Sequence, residues 1–101
     1  MTVNTKTEGD ALTVEIEGRI DTQTAPVLEK ELEGLLADEG VKNLILDFTN
    51  VSYISSAGLR TIVSAQNWID QRSGSMLVRG CSKNILGIFK VTGFDSFLTI
   101  E

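Results

Sequence analysis

The apolar residues of this chain change their spacing from one segment to the next, and that change restricts the fold more than any single motif does. Leu12, Val14 and Ile16 alternate with Thr13, Glu15 and Glu17, the period of a half-buried strand. Leu28, Leu32, Leu35 and Leu36 then recur at helical spacing, with Glu29, Lys30, Glu31 and Glu33 away from them. Asn43-Leu44-Ile45-Leu46-Asp47-Phe48 is a strand-length apolar run, and Leu59, Ile62, Val63 and Ile69 return to the helical period. Alternation of this kind predicts parallel strands joined by right-handed crossovers, with helices packed against the sheet.

The remaining segments follow in order. Residues 2–7 are β-prone and polar, like an edge strand, and Glu8-Gly9-Asp10 reads as the turn of a hairpin into 11–17. Gly18 to Gln23 reads as a loop. Thr24 is placed to cap the first helix, Pro26 suits its first turn, and Gly40 is read as its C-terminal glycine. The strand Val41 to Phe48 lacks alternation at Leu44-Ile45-Leu46, which predicts burial on both faces. A second helix spans about 57–72 and is closed by Ser73-Gly74. A strand follows at Ser75–Gly80. Ser82 caps a third helix carrying Ile85, Leu86 and Phe89 on one side, Gly93 ends it, and Phe97–Ile100 forms a closing strand. The expected class is α/β, in the order β-β-α-β-α-β-α-β, with a mixed, mostly parallel sheet in one domain over 1–101.

The serines Ser55 and Ser56 lie where a buried strand hands over to the second helix. The first N–H groups of a helix have no internal partner, and the helix dipole adds partial positive charge there. Serine is a favoured cap at that place, and the same place accommodates a phosphate. Two readings stand side by side: a helix cap and nothing more, or a hydroxyl that serves as a phosphorylation switch.

Composition removes several classes of function. The chain has no histidine and one cysteine, Cys81, so neither a Cys/His zinc site nor a histidine-dependent triad nor an internal disulfide can form. Nine basic against fourteen acidic side chains leave a formal charge of −5, a poor match to nucleic acid. No apolar run approaches the roughly 20 residues that span a bilayer, so no membrane insertion is expected. No secretory pattern opens the chain, and a cytoplasmic location follows as the expectation. There is no Gly-x-x-x-x-Gly-Lys and no Gly-x-Gly-x-x-Gly motif for a nucleotide.

Other chemically capable residues have plainer readings. Asp21 and Asp47 are placed to approach each other at one end of the sheet, yet read as capping or solvated carboxylates rather than an acid/base pair. Cys81 reads as a small buried hydrophobe. Trp68 reads as core or boundary packing. Arg60, one turn into the second helix, faces solvent. Phe89, Val91, Phe94 and Phe97 read as closure of the core. No catalytic, metal or cofactor residues are identified.

The order of elements, with Gly18-x-Ile20-Asp21, Leu46-Asp47-Phe48, Val51-x-Tyr53-Ile54, Ser55-Ser56-Ala57-Gly58-Leu59 and Gly93-Phe94, resembles a STAS domain of the anti-sigma-factor-antagonist type over essentially the whole length. The resemblance implies a non-enzymatic partner switch without cofactors. The serine two residues before the glycine is the family's phosphoacceptor, which is Ser56 here. Many members carry an aspartate immediately before it, where this chain has Ser55. The family's loop aspartate corresponds to Asp21, in a supporting role. Ala57 and Gly58 are small enough to let a partner approach, although Gly58 reads equally well as a site of tight helix packing, and Arg60 is placed for contact with a partner. The implied partners are an anti-sigma factor that is also a serine kinase, which the unphosphorylated antagonist binds to free a sigma factor, and a metal-dependent serine phosphatase. A second reading is a STAS module without a switch, in a signalling scaffold or as an accessory subunit of a membrane transporter. A small α/β enzyme or nucleotide binder is the third.

Overall fold

In the computed structural model, which describes residues 1–101, strands β1 (Thr2–Glu8) and β2 (Ala11–Ile20) form the expected antiparallel hairpin around Gly9-Asp10. Helix α1 (Ala25–Leu35) leads to strand β3 (Asn43–Ile54) and helix α2 (Ser56–Gln71) to strand β4 (Ser75–Arg79). Helix α3 (Lys83–Thr92) and a single 3-10 turn at Phe94–Ser96 finish the chain. The sheet order is β1-β2-β3-β4, with β2, β3 and β4 parallel. This is the mixed, mostly parallel sheet that the alternating periods require.

Three segments differ from the sequence reading. β2 runs on through Gly18 to Ile20 rather than ending at Glu17. It crosses two register shifts there, and Gly18 takes φ +106, a conformation that side chains rarely adopt. β3 likewise continues past Phe48 to Ile54, so the serine turn follows a twelve-residue strand. The closing strand shrinks to one bridge, in which Ile100 sits beside Val78 and the Val78 N–H donates to the Thr99 carbonyl at 2.9 Å.

The sheet is covered on one face only. Leu12, Val14, Leu44, Leu46, Phe48, Met76 and Val78 point to a common core with Leu28 and Leu32 of α1, Ile62 and Ile69 of α2, and Ile85 and Phe89 of α3. Ile45 lies half-buried on the opposite face, so β3 alternates after all. The central side chains are completely enclosed, and each stabilises the fold by about 1.5–3 kcal/mol through transfer from water. Phe48 and Phe89 meet across the core with ring centroids 6.3 Å apart. At the C-terminal end the core closes on Phe89 and Leu98. Leu86 and Val91 are exposed instead of joining it, because α3 turns its Ile85–Phe89 stripe to the sheet, and Phe97, beyond the helix, is exposed with its ring centroid 5.1 Å from that of Phe94. Trp68 packs at the boundary of the core, and Gly93 ends α3 as expected, with φ +78.

The end of α1 is made by a distant residue. Gly40 lies five positions beyond Leu35 and does not cap the helix. The Arg72 guanidinium reaches back from the end of α2 and donates to the carbonyls of Leu36 at 2.5 Å, Asp38 at 3.0 Å and Val41 at 3.2 Å. A cation at a helix C-terminus satisfies carbonyls that have no helical partner and complements the dipole.

Candidate functional site

The site is built where β2 and β3 end side by side. Their parallel register sets Arg19 opposite Tyr53 and Ile20 opposite Ile54. The Ser55 N–H donates to the Ile20 carbonyl at 2.8 Å, which carries the ladder one step further before the chain turns into α2. Ser55 itself is extended, at φ −91 and ψ 174, and its Oγ accepts from the Gly58 N–H at 3.2 Å. Ser55 is therefore the helix cap.

Ser56 is the first residue of α2. It is exposed, and its hydroxyl makes no hydrogen bond within the chain. The two hydroxyls thus differ: that of Ser55 is turned inward to the helix, and Ser56 is exposed to solvent.

Gly58 has an internal role. A Cβ at that position would stand 2.7 Å from Cγ2 of Ile20 and 2.8 Å from Cγ1 of Ile54, distances that real side chains do not tolerate. The residue is buried, so its smallness serves the packing of α2 over the strand ends, the packing role its sequence also offered. Ala57 is half-buried, and its carbonyl accepts from the Thr61 hydroxyl at 3.3 Å. Arg60 is exposed, as expected, and with Ala57, Thr61, Ala25, Pro26 and Glu29 it lines a shallow groove between the starts of α1 and α2.

Asp21 shapes the neighbouring loop. Its Oδ1 accepts from the N–H groups of Gln23 and Thr24, each at 3.0 Å, and the Thr24 hydroxyl oxygen lies 3.1 Å from it. Thr24 makes no side-chain bond into α1. Its Oγ1 accepts from the Asp21 N–H at 2.8 Å and donates to the Arg19 carbonyl at 2.7 Å, so it pins the loop instead of capping the helix. The Thr24 N–H, followed by that of Gln23, holds the Asp21 carboxyl below its usual range, and Arg19 adds to this from 3.8 Å.

Asp47 is nowhere near Asp21. It projects from the middle of β3, level with Glu15, and accepts from the Thr49 hydroxyl at 2.6 Å while pairing with Arg79 at 3.5 Å. No acid/base pair is formed. No group of three or more His, Cys, Asp and Glu side chains is arranged to hold a metal ion. Cys81 is partly buried, and burial pushes its thiol up to about 11, far from the range of a reactive thiolate.

One feature of the site escaped the sequence reading. The Arg19 guanidinium lies 4.4 Å above the centroid of the Tyr53 ring, and Tyr53 is 37% exposed. This stacked pair depends on β2 continuing past Gly18. The turn-like look of Gly18 concealed the parallel register that brings the two residues together.

The fold is thus a one-sided α/β sheet whose strand β3 delivers an exposed serine onto the start of α2, beside a loop ordered by Asp21. The chain belongs to the STAS-domain family, of the anti-sigma-factor-antagonist type: the family model described as STAS domain matches residues 2–101. It is 33% identical over 92 residues to the anti-sigma-B factor antagonist of Listeria monocytogenes, covering 91% of this chain and 80% of that one. Among solved structures, a putative anti-sigma factor antagonist of Thermotoga maritima superposes with a TM-score of 0.90 at 17% identity, covering 97% of this chain and 84% of that one. The Bacillus cell fate determinant SpoIIAA in its phosphorylated form superposes with a TM-score of 0.76 at 12% identity, covering 99% and 91%. No helix is long and apolar enough to cross a membrane.

Proposed function

We propose that this chain, as one STAS domain over 1–101, is an anti-sigma-factor antagonist switched by phosphorylation of Ser56. Unphosphorylated, it docks on an anti-sigma factor that is also a serine kinase, in the cytoplasm, and so frees a sigma factor. The kinase phosphorylates Ser56 and the complex separates; a serine phosphatase resets it. The relative in Listeria bears the name of such an antagonist, and SpoIIAA is known in a phosphorylated form. Asp21, Ser55, Ala57 and Arg60 form the docking rim around the serine, and Gly58 holds the corner in place.

The observation that carries this reading is the exposed, unbonded Ser56 hydroxyl at the first position of α2. A phosphate there adds about −1.5 to −2 charges. The fold tolerates them, because the free N–H groups and dipole of α2 favour an anion. A docked partner does not, because the dianion must be desolvated against its surface. Modification therefore ejects the partner without unfolding the domain.

The test is intact-mass analysis of the protein taken from its own host, with fragmentation to locate the modified residue. One phosphate on Ser56, abolished by Ser56→Ala, is the expected result. A persistently unmodified mass, together with equal partner binding by Ser56→Ala and Ser56→Asp, overturns the switch and leaves a constitutive STAS docking module.

A further inference from the structure

The charged groups around Ser56 are not equally free. Arg19 is held by Asp21 at 3.8 Å and by the Tyr53 ring at 4.4 Å. Asp21 is engaged with the N–H groups of Gln23 and Thr24. Arg60 is exposed and forms no ion pair, while the three ion pairs of the chain are made by Lys6, Arg19 and Arg79. Arg60 also stands four residues after Ser56 on the same helix. Residues at that separation share a face, with Cβ atoms about 5–6 Å apart.

We propose that Arg60 is the intramolecular partner of a phosphate on Ser56, and that this pairing draws its guanidinium away from the groove between α1 and α2. The proposal rests on the reading of Ser56 as the phosphoacceptor. Phosphorylation then does two things at once: it adds an anion to the docking rim and takes a cation out of it.

The geometry favours the pair. An anion placed N-terminal to a cation at four residues' separation is the better of the two orders on a helix, and the phosphate sits at the positive end of the dipole. Guanidinium binds phosphate through a planar, two-pronged fork. The other charges facing this rim are Asp21 from the loop and Glu29 from α1, both of which repel the phosphate, and Arg19, which Asp21 already holds. Arg60 is thus the cation left to answer the new charge.

The test uses the full chain with phosphoserine installed at position 56 during synthesis, so that no kinase is involved. Phosphorus NMR then follows the second ionisation of the phosphate, which titrates near pH 6. The chain has no histidine, so no other side chain is expected to titrate across that window. The phosphate of the parent should ionise about 0.3 pH units lower than that of the Arg60→Gln variant, the size expected of a pair one helical turn apart. Arg60→Lys should recover part of the shift, because it keeps the charge and loses the fork. Equal titration of the parent and Arg60→Gln overturns the proposal. That outcome is separate from the failure of the switch itself, which appears as a missing host phosphate and leaves this titration unchanged.

Discussion

Ile20 lies directly beneath the bare α-carbon of Gly58, with Cγ2 of Ile20 2.7 Å from where a Cβ would stand and the Ile20 carbonyl oxygen 3.1 Å from it. In an open helix, Gly→Ala is favourable by about 1 kcal/mol. Here the added methyl must displace two isoleucines that are themselves buried, and overpacking of that kind costs about 1–3 kcal/mol. Gly58→Ala is therefore expected to lower stability by about 1 kcal/mol net, read as a fall in the urea midpoint at constant slope. A raised midpoint would show that the corner yields easily.

The two serines should separate cleanly in stability. Ser55→Ala removes the hydroxyl that accepts from Gly58 and should cost about 1 kcal/mol. Ser56→Ala removes an exposed hydroxyl without a partner and should stay within about 0.5 kcal/mol of the parent. Chemical unfolding of both variants measures this, and equal losses would contradict the division of roles.

Ser56→Asp places one negative charge at the start of α2, which the dipole favours by about 0.3–1 kcal/mol. The variant should unfold at or above the parent's urea midpoint while losing affinity for the anti-sigma factor by at least about tenfold, the equivalent of about 1.4 kcal/mol. Calorimetric titration against the partner decides the second part, and undiminished affinity would count against electrostatic ejection.

Arg72→Met should cost about 2 kcal/mol, since it deprives three carbonyls beyond α1 of a charged donor. Arg72→Lys should recover only part of that, because one ammonium cannot span carbonyls that a guanidinium fork reaches together. Hydrogen exchange at the last turn of α1 should accelerate in both variants. Unchanged protection there would place the end of α1 under some other control.

Acid should weaken the fold through Asp47 and Asp21. The Thr49 hydroxyl, then the Thr49 N–H and Arg79, lower the ionisation of Asp47, and the Thr24 and Gln23 N–H groups lower that of Asp21. With folded values below the ordinary 3.8, the unfolded chain binds protons more readily. The stabilisation is therefore complete above pH 3.8 and is lost as pH falls through the lower folded values. Thr49→Val removes the largest cause at Asp47 and should raise that carboxyl toward 3.8, as followed by NMR titration of its side-chain carbonyl. An unmoved titration would show that Arg79 and the backbone suffice.

Much of this architecture was legible in the chain itself, because the rules involved act over a few residues. Period-two and helical spacing marked β2, α1, α2 and α3, and a serine before an apolar helical run marked the cap at the start of α2. Where the reading went astray, a local signal met a longer-range demand. Gly18 has the look of a turn, yet pairing with β3 carries β2 through it to Ile20. Gly40 has the look of a helix terminator, yet Arg72, over thirty residues away, supplies the carbonyl partners beyond α1.

The sequence by itself determined the alternation of elements, the absence of histidine chemistry and the pair of hydroxyls at one strand-to-helix corner. Tertiary structure alone decided which of those hydroxyls faces water, that Gly58 is small for the sake of Ile20 and Ile54, and that Arg19 lies over Tyr53. The reason is physical. Periodicity and capping depend on neighbours within about one helical turn, whereas strand register and close approach depend on residues brought together only when the parallel strands align.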